Sequence, residues 1–381
     1  MNFRSGRTKA FAGLRRVLVV QRVLPTYRVR FFEALSASPN LAVTVASGEV
    51  DQRSALRGGE ATLGIARWPL HNAALRLGGR EIVAFQSGMI PAINATDPDV
   101  IIAEFNLRIV SNLLLWMIAR YRRRPLILWG HGFGKSGGAV SRRLRLFFAH
   151  SAAAMIFYGK HQRDEFASAG VDPKKLFVAR NTIDIDPVVR LAKRSGWGER
   201  HRIIVVGRVL REKKVDVTIK AFAQAHQDLP ATTVLTIIGD GPETGRLRQL
   251  AQRLGIAKRV EFTGALYVEP QIAQYFNEAL VSVSSGYVGL GIIHSFAYGV
   301  PMLIAREEPH SPEIEALEDG RNGLFFPSND PSILAACFRE IINDRPRLQW
   351  MGQEARATVT QEYSVSSMVC AFEQAVEWVT Q

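Results

Sequence analysis

The sequence predicts an α/β chain of two domains, each a mainly parallel sheet flanked by helices. Three observations lead there. The length of 381 residues exceeds one ordinary core, and chains of this size divide into domains of about 150–200 residues. Short apolar runs alternate with segments of helical period along both halves, the rhythm of βαβ units. Glycine or proline punctuates the ends of those runs, where parallel sheets present ligand-binding turns. A hydrophobic content of 47% with 22% charged residues is that of a folded chain and excludes a disordered one.

In chain order, residues 17–20 form a buried strand. A loop through Pro25-Thr-Tyr-Arg28 and a helix over 30–36 follow, then a strand over 41–46. Residues 48–80 are rich in Gly and Arg and low in periodicity, and are expected to be a loop at the domain mouth. Strands over 100–103 and 126–129 bracket an apolar helix over 109–119. Strands over 155–158 and 176–179 bracket a helix over 160–169 that Gly170 stops. The interval 186–202, with Pro187, Gly196 and Gly198, is expected to connect a first domain over 1–190 to a second over 200–363.

In the second half, a strand over 203–206 stops at Gly207 and a helix over 217–226 follows. The run Val234-Leu-Thr-Ile-Ile-Gly-Asp-Gly-Pro242 is a strand ending in a glycine turn, with a helix over 247–254 behind it. Residues 259–264 read as a short strand. Residues 281–301 read as strand, glycine-rich loop and a helix from Gly291 that Gly299 and Pro301 end. Helices over 331–343 and 346–362 precede a terminal amphipathic helix over 364–380.

The segment Val205-Val-Gly-Arg-Val-Leu-Arg-Glu-Lys-Lys-Val-Asp216 says most about chemistry. Gly207 lets backbone come close at a strand's carboxyl end, and Arg208 and Lys213 bring two cations there, as diphosphate binding requires. Taken alone, the same residues also fit a surface Arg and Lys beside an ordinary turn. The loop Gly289-Leu290-Gly291 adds backbone N–H groups suited to an anion.

With Gly239-Asp-Gly-Pro242, Arg259-Val-Glu-Phe-Thr-Gly264, the stretch from Gly289 to Pro301 and Gly320-Arg-Asn-Gly-Leu324, the chain resembles the retaining glycosyltransferases of family 4. These motifs fall within residues 200–330. The first half matches more loosely, through Pro25-Thr-Tyr-Arg28, Trp129-Gly-His-Gly132 and Asn181-Thr-Ile-Asp184. The resemblance implies the GT-B fold, two Rossmann-like domains facing across a cleft, with the helix over 364–381 packed back on the first. It implies transfer of a sugar from a nucleoside-diphosphate sugar. Arg208 and Lys213 would hold the diphosphate, and Gly207, Gly239, Gly289, Leu290 and Gly291 would complete the donor cradle. The family carries two glutamates eight positions apart around the glycine loop. Here those positions are Gly286 and His294, so the sugar contact is missing and the ribose contact falls to an imidazole. His294 is either that contact or a half-buried helix residue.

His131, between glycines at a strand's carboxyl end, is expected to be an active-site residue that positions the reactants, the alternative being a turn residue. Lys135 from the same loop and Arg28 are candidates on the acceptor side. Glu313 is a candidate for touching the donor sugar in the absence of a side chain at 286. Two cations suffice for the leaving diphosphate, so neither metal nor cofactor is expected. The competing reading is a degenerate, non-catalytic nucleotide-sugar or glycan-binding protein.

The net charge of +13 is uneven. Residues 1–200 hold 31 Lys and Arg against 14 Asp and Glu (+17), and residues 201–381 hold 17 against 21 (−4). One basic domain points to an anionic surface, nucleic acid or lipid. No zinc finger, RNP motif or recognition-helix pair is present, so nucleic acid is not expected. The arginines at 120, 122–124, 142, 143 and 145 adjoin apolar runs, which suits a bilayer interface. The run 109–119 is too short to span one, which takes about 20 residues. Residues 1–14 are polar and basic and no signal segment is evident. Cys337 and Cys370 lack metal-ligand spacing. The expected location is the cytoplasm, peripheral on the inner membrane face, and the family resemblance implies a glycan or lipid-linked acceptor in cell-envelope polysaccharide biosynthesis.

Overall fold

The computed structural model describes residues 13–49, 64–77, 80–133, 138–193 and 196–381. The chain forms two compact units: the described part of Met1–Ala179 with Met368–Gln381, and Arg180–Ser367.

The amino-terminal unit holds β1 (Arg15–Val23), β2 (Leu41–Gly48), β3 (Ala66–Leu77), β4 (Arg80–Ser87), β5 (Val100–Glu104), β6 (Leu126–Gly130), β7 (Ala154–Phe157) and β8 (Leu176–Val178). Their order in one sheet is β4-β3-β2-β1-β5-β6-β7-β8. All pairings are parallel except β3 with β4. β1 is central because Val17, Leu18, Val19 and Val20 are all buried, the continuous apolar run of a strand covered on both faces. The terminal helix Val365–Thr380 sets Phe372 4.9 Å from Phe31 and 4.8 Å from Trp129.

One expectation is corrected here. Within 48–80, expected to be a loop, β3 occupies Ala66–Leu77 and pairs antiparallel with β4. Residues 71–76 are exposed, so ladder hydrogen bonds and not burial hold the hairpin, and no apolar alternation marks it in the sequence.

The carboxyl-terminal unit holds β9 (Arg202–Val206), β10 (Val234–Ile238), β11 (Val260–Gly264), β12 (Ala279–Ser284), β13 (Met302–Ala305) and β14 (Gly323–Phe326). The order is β11-β10-β9-β12-β13-β14, the doubly wound arrangement with a reversal at its first strand. Apolar clusters cover both faces, one around Phe222, Leu280 and Phe338 and one around Ile292, Phe296 and Tyr298. The division between units falls between Ala179 and Arg180, ahead of the expected 186–202. Ile185, Val188 and Ala192 are the reason, since they are buried in the second of those clusters.

Candidate functional site

β9 pairs with β10 on one side and β12 on the other. The chain leaves these strands toward opposite faces, which opens a crevice at their carboxyl ends. A cavity of about 500 Å³ lies there, lined by Gly207, Arg208 and Lys213 from the β9 side and by Gly289, Leu290, Gly291 and His294 from the β12 side. Seven of the residues singled out in the sequence thus share one cavity.

Arg208 is exposed, and among the described residues no hydrogen bond or ion pair engages its guanidinium. Lys213 is tied down: its Nζ donates to the Tyr287 carbonyl at 2.6 Å and lies 4.5 Å from the Tyr287 ring centre. Burial, opposed weakly by Glu212, holds the Lys213 ammonium below the usual lysine range. The neighbouring Lys214 adopts φ 49° and pairs with Glu308 at 2.5 Å, which anchors the turn. Across the cavity, the His310 Nε2–H donates to the Ala305 carbonyl at 2.7 Å, leaving Nδ1 to accept the Val288 N–H at 3.2 Å. The glycine loop is therefore braced by a neutral imidazole in a fixed tautomer. An exposed cation, a tied cation and backbone N–H groups around one crevice are the components that an anion site requires.

Gly239, expected in the donor cradle, does not line the cavity. A Cβ there would lie 1.9 Å from the Gly207 carbonyl oxygen, and one at Gly241 2.3 Å from that of Val209. The Gly-Asp-Gly turn is the seat on which the 207–209 backbone rests, with the Gly207 N–H on the Ile238 carbonyl and the Val209 N–H on that of Asp240. Its glycines serve close backbone approach.

His294 donates through Nε2 to Glu269 Oε1 at 2.8 Å, and Tyr298 donates its hydroxyl to the same oxygen at 2.6 Å. The ring packs edge-on against Phe276 and Tyr298, at 4.9 and 5.4 Å. Burial alone would raise the Glu269 pKa, but the bond and charge from His294 and the Tyr298 hydroxyl outweigh it, and the carboxyl titrates below its ordinary range. A depressed carboxyl stabilises the fold above its unfolded pKa and loses that contribution as pH falls through the folded value. The Glu269 contribution is therefore present at neutral pH and is lost only in acid. Glu269→Ala strands the Nε2–H and a buried phenol, and should lower stability by about 1–3 kcal/mol, read from the denaturant midpoint. His294→Ala should weaken nucleotide binding measured by calorimetry. Unchanged affinity would leave the ring a packing residue.

Glu313 is buried and accepts a hydrogen bond from Asn181 Nδ2, and it is not among the cavity's lining residues. The expected sugar contact is corrected accordingly: within the carboxyl-terminal unit the carboxylate ties the 181–184 segment to the short helix Pro312–Ala316, alongside the Thr182 hydroxyl on the Tyr363 carbonyl. The sequence reading missed Glu269, Tyr287 and His310. Tyr287 sits inside a quoted motif and was within reach, whereas Glu269 lies 25 positions from its partner with no local signal.

In the amino-terminal unit the sheet reverses at β1, between β2 and β5, and a second cavity, of about 690 Å³, lies at those carboxyl ends. Arg28 and His131 line it, with Arg22, Glu104, Arg108, Arg145 and Tyr158. Arg28 is buried, bonded to the Tyr158 hydroxyl and stacked 4.3 Å over Trp129. His131 is exposed and its ring lies 4.5 Å from that of Tyr158. Lys135 falls outside the described residues.

Comparison with known proteins follows the same division. Residues 190–358 match the family described as glycosyl transferases group 1. A GDP-mannose-dependent α-(1-6)-phosphatidylinositol monomannoside mannosyltransferase of Mycolicibacterium smegmatis is 27% identical over 60% of this chain and 63% of its own length. The chain thus spans under two thirds of that relative. Among solved structures, Anabaena HepE in complex with UDP superposes with a TM-score of 0.68 at 17% identity, covering 96% of this chain and 100% of that one. Sucrose-phosphate synthase from Thermosynechococcus elongatus does so at 0.68 and 16%, covering 96% and 99%. The strand orders, the crevice at β9 and these likenesses agree: residues 190–358 carry a match to the glycosyl transferases group 1, and the fold is GT-B.

Proposed function

We propose that this protein is a retaining glycosyltransferase that moves a hexose-type sugar from a nucleoside-diphosphate sugar to a glycan or lipid-linked acceptor of the cell envelope. It works without a metal, in the cytoplasm, peripheral on the inner membrane face. The observation that carries the reading is the convergence of Arg208, Lys213 and the 289–291 backbone on one cavity. Negative charge develops on the leaving diphosphate as the anomeric C–O bond breaks, and preorganised cations and N–H groups stabilise it. The acceptor hydroxyl attacks from the same face, and its proton passes to the departing phosphate oxygen. His131 and Arg28 position the acceptor. The mannosyltransferase and UDP-bound relatives support a nucleotide-sugar donor. Among the described residues no helix is long and apolar enough to cross a membrane.

A panel of nucleoside-diphosphate sugars tests the reading. The cognate donor should raise the melting temperature, since a ligand held only by the folded state stabilises it, and turnover should survive a chelator. Loss of turnover with the chelator would overturn the metal-free mechanism. The glycine at 286 favours one other reading, a non-catalytic nucleotide-sugar or glycan binder. Slow donor hydrolysis supports the enzyme, and tight nucleotide binding with neither hydrolysis nor transfer supports the binder.

A further inference from the structure

The cationic cavity at β1 does not end in polar residues. Glu104, Phe105, Asn106 and Leu107 line it and also line a second, apolar cavity of about 210 Å³. Most of the remaining lining comes from the helices Ser111–Tyr121 and Ala139–Ser151, through Leu113, Trp116, Leu144 and Phe148, with Ile109, Val110 and Leu128 beside them. Its mouth is unusually apolar for a surface, because Leu113 is 47% and Leu144 43% exposed. On the polar side, Arg108 is exposed, with no partner for its guanidinium among the described residues. Arg145 spends one N–H on the Gly132 carbonyl, at 2.7 Å. Arg22 is paired with Glu81. Glu104 accepts from the Arg22 N–H and from Asn106, each at 3.3 Å, and is the one carboxylate in this lining. The arrangement is a cationic chamber opening beside an apolar one.

We infer that these two neighbouring cavities, which share Glu104, Phe105, Asn106 and Leu107 in their linings, bind one amphiphile, a single-chain lipid phosphate or diphosphate. Its anionic group sits by Arg108 and Arg145, and the first carbons of its chain lie against Leu113, Trp116 and Leu144. This deepens the proposed function by naming the acceptor's carrier, and it rests on that reading only for the word acceptor. Charge complementarity selects the phosphate over a neutral lipid. A chamber of about 210 Å³ takes one chain, whereas a bilayer surface would need only the exposed rim.

Calorimetry on the full chain, without donor, tests the inference using a series from hexyl to dodecyl phosphate below their micelle concentrations. Inorganic phosphate and decanol are the comparators. Binding should be saturable, and affinity should rise by up to about fourfold per methylene and then level off once the chamber is filled. Leu113→Gln with Leu144→Gln should remove the chain-length dependence, and exposure of both side chains keeps the fold intact. Arg108→Ala with Arg145→Ala should weaken alkyl phosphates by roughly tenfold and leave decanol unchanged. Absence of saturable binding overturns the inference. So does affinity that climbs with chain length without a plateau and ignores the Gln variant, because that is partition onto apolar surface. Equal capture of both proteins by phosphatidylglycerol vesicles, with no alkyl phosphate site, would assign the face to the bilayer instead. Thermal stabilisation by nucleotides on the same variants reads the carboxyl-terminal cavity separately, so failure of the donor reading remains distinguishable.

Discussion

Arg208→Ala and Lys213→Ala should each lower turnover by about 10²-fold or more, with purified protein still folded and still adding no metal. The two losses should differ in kind. Arg208 is exposed and engages no described partner, so its removal takes away charge and little else. Lys213 already donates to the Tyr287 carbonyl, so its removal also frees the glycine loop. The titration separates them further. Burial lowers the Lys213 pKa, so the ammonium loses its proton at a lower pH than a free lysine does. A neutral amine gives no charge to a diphosphate, and nucleotide affinity should therefore decline as pH rises toward that lowered value. Lys213→Arg should hold its affinity across the same range, because a guanidinium stays charged. Initial rates and nucleotide calorimetry against pH check both claims. Near-normal turnover in both alanine variants would remove the mechanism.

What the sequence disclosed and what it concealed have physical reasons. Strands such as β1, β9 and β10 were legible because they are buried on both faces and read as unbroken apolar runs. The cavity residues from Gly207 to Lys213 and from Gly289 to His294 were legible because glycines and cations cluster locally at the carboxyl ends of two strands. The β3–β4 hairpin was not legible, since it is held by ladder bonds at an exposed edge. The Gly-Asp-Gly turn was assigned to the ligand because glycine marks close approach without saying to what. In this fold the approaching group is the Gly207 carbonyl. Glu269 reaches His294 from a different helix, and no spacing rule encodes that meeting. Glu313 meets Asn181 across 132 positions of sequence, and no local pattern encodes that contact either.

Gly286→Ala should cost nearly as much as losing Lys213 itself. A Cβ at this position would stand 2.1 Å from the Glu212 carbonyl oxygen and 2.8 Å from both C and Cα of Lys213. The obstacles are backbone atoms, so no side-chain rotation relieves the clash and the 212–213 turn must move. Overpacking of this sort costs about 1–3 kcal/mol, and the shift breaks the 2.6 Å bond from Lys213 to Tyr287. The same geometry leaves no room for a side chain at 286, the position at which the family resemblance places its first glutamate, because the lysine turn occupies it. Gly286→Glu, which writes the family residue back, should therefore not restore a sugar contact but lower turnover by about 10²-fold, as loss of the lysine does. Gly245→Ala is the control. It lies on the helix Thr244–Arg253 with nothing within 4 Å, and should gain up to about 1 kcal/mol with turnover unchanged. Denaturant midpoints and initial rates on the three variants decide the matter. Wild-type turnover in Gly286→Ala would mean that the turn accommodates a side chain, and that Lys213 is not held where the leaving group needs it.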